Sequence, residues 1–334
     1  MMLLYIVRVF ISMRVKKPIF IISCPRSGSS LLFKVLSESK ELWSSYRESH
    51  YFWKSFLSEP RDPIFSMSLN ASDFKEEDRE YLENLYHLNT FNDEFSGELT
   101  RILFFREKLK PLFNSYLSLN KLIKKHLINL KDYRIIDKTP PNVFRVPFID
   151  KLFPDAKYIF LTRDAKTNIS SLIDAWLSEG NLFSFKFREF YEYNSRLNIE
   201  GYSGKVWKFL NPPGWEDYLS GKSIEEVCAF QWLSANEHAL NAFSEMPSEK
   251  YLHVRYEDLL ADRFNGIQSL CEFCEIEFSK EIKDMIDKDP KVSVVSLPSK
   301  DKWLKNKERI ENILGTVEDM QKRLGYLEVS PISY

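Results

Sequence analysis

The chain has 334 residues, 44% of them hydrophobic and 28% charged, with 47 basic against 48 acidic side chains. That balance supplies a full core without disulfides and excludes a mainly disordered chain, and a net charge of −1 provides no overall field for nucleic acid. An anionic ligand therefore has to be held by local geometry, and with only 10 glycines each glycine position is informative.

Residues 1–13 form an apolar run interrupted by Arg8, too short to span a bilayer and without a small-residue cleavage site. It reads as a short N-terminal helix or an over-extended start. No other stretch is long enough to cross a membrane, and a soluble, cytoplasmic protein is expected. Pro18 to Cys24 is a continuous apolar, β-branched run, the mark of a buried parallel strand. From residue 29 the pattern turns helical, with Leu31, Leu32, Val35 and Leu36 on one side. Residues 41–130 read as mostly helical. Tyr133–Ile136 is a second strand, Asn142–Phe153 an amphipathic helix, Lys157–Thr162 a third strand, and 164–177 a helix. Residues 180–222 hold half of the glycines and the Pro212-Pro213-Gly214 turn, and read as an irregular insertion near a substrate mouth. A long helix over Ile224–Phe243 precedes a fourth strand, Tyr251–Val254, and the remainder is helical except for 290–303. Strands alternating with helices predict an α/β protein with a parallel sheet.

Four cysteines occur, Cys24, Cys228, Cys271 and Cys274. Cys271 and Cys274 form a C-x-x-C without a second pair at zinc spacing, and they fall in an apolar helical pattern, so packing is their expected role. The five histidines are scattered, and no metal is expected.

Two segments carry chemistry. Pro25-Arg26-Ser27-Gly28-Ser29-Ser30 joins the first strand to the first helix. A glycine there lets the chain turn tightly and aim successive N–H groups, with the positive end of the helix, at an anion. The Ser29 and Ser30 hydroxyls and the planar fork of Arg26 suit phosphate or sulfonate oxygens. The same six residues also fit a plain strand-to-helix turn. The loop lacks the lysine of a Walker A sequence, which argues against a magnesium nucleoside triphosphate. The second segment follows the third strand, where Arg163 is followed eight residues later by Ser171, about two helical turns on. Arg163 with Asp164 also fits a helix-start ion pair. Ligands of parallel sheets bind at the carboxyl ends of strands, which places both segments on one edge. Two anion sites there suggest a ligand with two separated anionic groups.

Together these segments resemble the sulfotransferases that use 3′-phosphoadenosine 5′-phosphosulfate (PAPS). The Pro25 loop resembles the family's 5′-phosphosulfate loop, and Arg163 with Ser171 its 3′-phosphate pair. Asp137-Lys138-Thr139-Pro140, Phe153-Pro154-Asp155-Ala156-Lys157, Arg255-Tyr256-Glu257-Asp258-Leu259 and Arg323-Leu324-Gly325-Tyr326 resemble segments of the branch that includes tyrosylprotein sulfotransferases and many bacterial enzymes. The likeness departs at Ser29-Ser30, where threonines are common, and at Ala175, where some relatives carry a basic residue, and over 180–222 no motif anchors it.

The resemblance implies an α/β, P-loop-NTPase-like three-layer fold with a central parallel sheet and large helical insertions. It implies one domain over 18–334 after an extension at 1–17, with a helical insertion over about 49–130 and an irregular one over about 180–222. It implies PAPS as donor, no metal, and a hydroxyl- or amine-bearing acceptor: a glycan, lipid, peptide or small metabolite. Arg26, Ser27, Gly28, Ser29, Ser30, Arg163, Ser171, Tyr256, Ser296 and Lys300 are the implied donor-binding residues. Arg26 and Lys138 would stabilise charge in the reaction. Glu48 falls where the branch places its base, with His50 as the other candidate and a pairing with Arg47 as the plain alternative. Tyr51, Phe52 and Trp53 beside Glu48 fit either an acceptor lining or core, and Tyr256 fits either adenine contact or core. The competing classes are a P-loop-type nucleotide kinase or phosphotransferase, which needs a loop lysine and a magnesium ligand not found here, and a catalytically inactive nucleotide-binding scaffold.

Overall fold

The middle of the molecule is a parallel sheet whose strands Ile19–Ile22 and Lys157–Thr162 are almost wholly buried. In the computed structural model the residues described are 14–44, 48–49, 53, 66–91, 132–178, 196–288 and 301–327. In chain order the elements are β1 (Arg14–Val15), β2 (Ile19–Ile22), α1 (Ser29–Leu36), β3 (Leu42–Ser44), α2 (Asp78–Phe91), β4 (Asp132–Asp137), α3 (Val146–Leu152), β5 (Lys157–Thr162) and α4 (Ala165–Leu177). There follow β6 (Asn198–Glu200), β7 (Ser220–Ser223), α5 (Ile224–Ser244), β8 (Tyr251–Arg255), α6 (Tyr256–Ala261), α7 (Arg263–Phe273), α8 (Lys280–Asp287) and α9 (Lys307–Arg323).

β4 pairs with β1, β2 and β3, β2 pairs with β5, and β5 with β8; every pair is parallel. Successive side chains of a strand point to opposite faces, and β2 shows it. Phe20 and Ile22 pack with Tyr158 and Phe160 against α3, α4, α5 and α9, whereas Ile19 and Ile21 pack with Ile159 and Leu161 against α1 and α7. Helices on both faces of a parallel sheet make the expected three-layer α/β fold. Cys271 and Cys274 are free thiols buried in the second of these cores, the packing role their spacing indicated.

The chain leaves β2 first toward β3 and β4 on one flank and later returns through β5 and β8 on the other. Such a switch point opens a crevice at the carboxyl edge, where the loop after β2 lies. Ile22 pairs with Phe160 and Phe20 with Asp137. Lys138, the residue after β4, and Arg163, the residue after β5, therefore emerge on either side of that loop.

Several expectations need correction. Residues 41–130 include the strand β3, and the stretch before Pro18 supplies β1; both are too short, at 3 and 2 residues, to show a period. The helix expected over Asn142–Phe153 is two pieces, a 3-10 turn over Pro140–Phe144 and then α3. Arg145 between them leaves helical geometry (φ −129°, ψ 8°), because Pro147 lacks an N–H and is tolerated only in a first turn. The described part of the segment expected to be irregular, residues 196–223, holds β6 and β7 and buries Trp207, Trp215 and Lys208 in the core shared with α4 and α5. The Lys208 ammonium donates to the carbonyls of Ala175, Trp176 and Ser178 at the end of α4. Most of the insertion expected over 49–130 lies outside the described residues. Among the described residues no helix is long and apolar enough to cross a membrane.

Candidate functional site

The loop after β2 turns through two left-handed residues, Arg26 (φ 71°) and Gly28 (φ 93°). Gly28 is the N-cap of α1 and brings no side chain to satisfy the helix. The amides of Ser29 and Ser30, at the first two positions of α1, have no acceptor within a helix and face the end where the dipole is positive. Glycine is required at 28 for a second reason: a Cβ there would lie 2.3 Å from Cε2 of Tyr256. The Tyr256 ring covers the turn, and the Arg163 guanidinium lies 5.1 Å from its centroid.

Both anion segments of the sequence meet here. Nη1 of Arg163 donates to the Arg26 carbonyl at 3.0 Å, and Nε of Arg26 donates to the Ser171 hydroxyl at 3.4 Å. Nε of Arg163 is held by the Thr167 hydroxyl, one turn into α4. The Ser27 hydroxyl is buried and accepts from the Asn168 amide at 2.9 Å, and the Ser27 N–H donates to the Cys24 carbonyl at 3.4 Å, so Ser27 braces the turn from within. Burial and the neighbouring Arg163 charge hold the Arg26 guanidinium below its ordinary value, partly offset by Asp174. Two guanidiniums kept this close, with one partly desolvated, concentrate positive charge beside the turn. Lys302 belongs to the same cluster. It lies 3.7 Å from Asp174, and burial, Lys305, Arg26 and Arg163 together outweigh that carboxylate to push its ammonium down.

On the β4 flank, Lys138 and Glu48 form an ion pair, with 11% and 33% of their side chains exposed, so a bound molecule can reach both. Beneath them the buried Asp137 carboxylate gathers the Ser49 hydroxyl at 2.9 Å, the Thr139 hydroxyl at 2.8 Å, the Asn142 amide at 3.0 Å and the Tyr86 hydroxyl at 3.4 Å. Burial raises the Asp137 carboxyl above its usual range, the three shorter hydrogen bonds oppose that rise, and the charge of Glu48 adds to it. Side chains of Leu31, Val35, Tyr256, Leu260 and Ile286 line a shallow, mostly apolar cleft beside Gly28.

A family profile described as the sulfotransferase family matches residues 18–200 and 205–280, most of the chain. The chain belongs to the sulfotransferase family. Among solved structures it is similar to the sulfotransferase domain from the curacin biosynthetic pathway, at 16% identity over 91% of this chain and 98% of that one, with a TM-score of 0.41. It is similar to a sulfotransferase of Mycobacterium avium at 13% identity over 95% and 78%, with a TM-score of 0.44. A mouse sulfotransferase complexed with PAP is 13% identical over 98% and 91%, with a TM-score of 0.37. No curated protein sequence matches.

Of the residues singled out in this sulfotransferase from its sequence, the structure brings together Arg26, Ser27, Gly28, Ser29, Arg163, Ser171 and Tyr256 around one turn, and Glu48 with Lys138 on its β4 side. Ser30 is exposed on α1. Trp53 is core, stacked edge-on against Phe148 and Tyr86, rather than the lining of an open pocket. His50, Tyr51, Phe52, Ser296 and Lys300 lie outside the described residues. Sequence reasoning missed Asn168, which ties the loop to α4, and Lys302, which stands two residues beyond the lysine it chose. The signal for Asn168 was available, since it faces the same side of α4 as Ser171, three residues on.

The closing segments of the chain brace this edge. Tyr326 shares its hydroxyl with Thr162 at 3.1 Å and donates to Glu257 at 3.0 Å, while Gln321 holds both Asp164 and the Ala165 amide. Asp164 in turn caps α4 by accepting from Thr167 N–H. Arg163 is thus fixed from both sides by elements more than ninety residues away.

Proposed function

We propose that this sulfotransferase moves the sulfonate of PAPS to a hydroxyl (or amine) acceptor by in-line transfer, with Glu48 as the base. The observation that carries the reading is the Glu48–Lys138 ion pair standing at the carboxyl edge on one side of the glycine turn, with the Arg26–Arg163–Ser171–Lys302 cluster on the other. A donor with a phosphosulfate at one end and a 3′-phosphate at the other suits that order of charges. The amides of Gly28, Ser29 and Ser30 with Arg26 would take the 5′-phosphosulfate oxygens, Arg26 also stabilising charge in the reaction, and Arg163, Ser171 and Lys302 the 3′-phosphate. The apolar cleft under Tyr256 would take the base.

The acceptor oxygen attacks sulfur while the bond from sulfur to the bridging phosphate oxygen breaks. The electron pair of that bond goes to the nucleotide phosphate, and the acceptor proton goes to the Glu48 carboxylate. Charge grows on the bridging oxygen, so donors already aimed at it lower the barrier. Lys138, the residue after β4, would be one such donor, and the first amides of α1 would add to it. A base beside the hydroxyl contributes about 10²–10⁴-fold. Because Lys138 and Glu48 are paired before ligands arrive, the arriving sulfonate competes for the ammonium and releases the carboxylate for its proton. Four buried free thiols suit a reducing compartment, and we read the enzyme as cytoplasmic.

The test begins by screening extracts with labelled PAPS to find an acceptor. Glu48→Gln is expected to lose turnover on that acceptor by about 10²-fold or more while 3′-phosphoadenosine 5′-phosphate (PAP) binds as to wild type. Unchanged turnover removes Glu48 from the role.

A further inference from the structure

Glu48 and Lys138 approach from segments ninety residues apart, and each sits next to a residue of one buried network. Ser49 N–H donates to the Thr139 hydroxyl at 2.7 Å. The Ser49 hydroxyl donates to one Asp137 oxygen at 2.9 Å and the Thr139 hydroxyl to the other at 2.8 Å. A serine or threonine hydroxyl has one proton to give, and both protons are spent on the same carboxylate. Asn142 and Tyr86 supply its remaining donors. Asp137, Ser49 and Thr139 are each almost wholly buried, so no ligand touches them directly.

From this arrangement we infer that Asp137, through Ser49 and Thr139, is a positioning residue: it sets the separation of the Glu48 carboxylate and the Lys138 ammonium. The inference rests on the reading of those two as base and charge stabiliser. Lys138 lies between the two network residues Asp137 and Thr139, and Glu48 precedes Ser49, so the backbone on both sides of the ion pair is anchored to one carboxylate. An ionised carboxylate only accepts, which makes it the one side chain able to gather hydroxyl donors from both segments at once. The sequence motif gave no sign of this, because the Asp of Asp137-Lys138-Thr139-Pro140 looks like an ordinary strand-end polar residue. A misplacement of about 1 Å in such a constellation costs on the order of 10²-fold in rate.

The test is calorimetric and needs no acceptor. PAPS and PAP differ by the sulfonate, so the ratio of their affinities reports how well Lys138 is placed on that group. In wild type PAPS is expected to bind about tenfold more tightly than PAP, and Lys138→Ala is expected to remove that margin. Thr139→Val keeps the shape but deletes the hydroxyl, and is expected to cut the margin by about fivefold or more with PAP affinity within about twofold of wild type. Thr139→Ser, which restores the hydroxyl, returns the margin. Ser49→Ala serves as an independent cut if Thr139→Val does not fold. A merely structural role lowers melting temperature or weakens both nucleotides alike without moving the ratio. If Lys138→Ala erases the margin and the Thr139→Val and Ser49→Ala proteins keep it in full, the positioning role is wrong. If wild type shows no margin, or Lys138→Ala preserves it, the assignment of Lys138 itself fails and takes this inference with it.

Discussion

The guanidinium of Arg163 donates to the backbone carbonyl of Arg26 at 3.0 Å. One residue of the second anion segment thereby holds the conformation of the first, and Arg26 answers by reaching Ser171. The two segments are one hydrogen-bonded unit, and on the proposed reading removing Arg163 takes away a charge and also frees a left-handed turn.

Arg163→Ala is therefore expected to weaken binding of 3′-phosphoadenosine 5′-phosphate by about 10–100-fold, the loss of a charge-assisted bond worth roughly 1.5–3 kcal/mol. Arg163→Lys is expected to recover only part, because an ammonium cannot serve Thr167, the Arg26 carbonyl and a phosphate in the plane of one fork. Calorimetric titration of the three proteins measures both effects. Equal binding by all three contradicts the assignment.

Gly28→Ala combines two costs. The residue stands at φ 93°, and its new Cβ would meet the Tyr256 ring at 2.3 Å. A destabilisation of about 2–3 kcal/mol is expected from left-handed strain and overpacking. Urea unfolding of Gly28→Ala, Tyr256→Ala and the double variant reads the steric part as a coupling of about 1 kcal/mol. A change within about 0.5 kcal/mol for Gly28→Ala means the turn is not constrained as described.

Lys208→Met tests the segment 196–222. The side chain is buried, and burial pushes its ammonium below the ordinary lysine value. It nevertheless satisfies three carbonyls at the end of α4. Methionine fills similar space but leaves those acceptors without a donor, so a loss of about 2–4 kcal/mol is expected in urea unfolding. A neutral or stabilising result shows that the carbonyls find other partners.

Asp137 has a signature in pH. Its carboxyl is raised above 3.8 in the folded protein, chiefly by burial. Between its unfolded and folded values the native state keeps a proton that the unfolded chain has released. Stability from this group therefore falls as pH rises through that window and levels off above it. The stability of wild type minus that of Asp137→Asn is expected to decline from pH 4 upward, followed by urea unfolding at each pH. A difference that grows with pH reverses the sign and indicates a carboxylate stabilised in its ionised form.

β2 and β5 were legible because each is a nearly continuous apolar run buried on both faces, and β4 and β8 because short β-branched and aromatic stretches stand between turn residues. β1, β3 and the break at Arg145 were not, since two or three residues carry no period and a proline inside an apolar stretch does not announce which side of it is helical. The stretch before α5 read as irregular because of its glycines and prolines, yet it holds two short strands and buries Trp207 and Trp215.

The same division holds at the site. The sequence by itself determined the glycine turn, Arg26, Arg163 and Ser171, because a strand end, a turn and the next helix are set by neighbours along the chain. Tertiary structure alone decided which groups would face one another: Asn168 holding Ser27 across 141 residues, Ser49 on Asp137 across 88, Lys302 near the two arginines. Those pairings depend on which strands flank β2 and on how α4 is braced by the end of the chain. Both are settled by the packing of distant segments into one core, and no local run of residues encodes that.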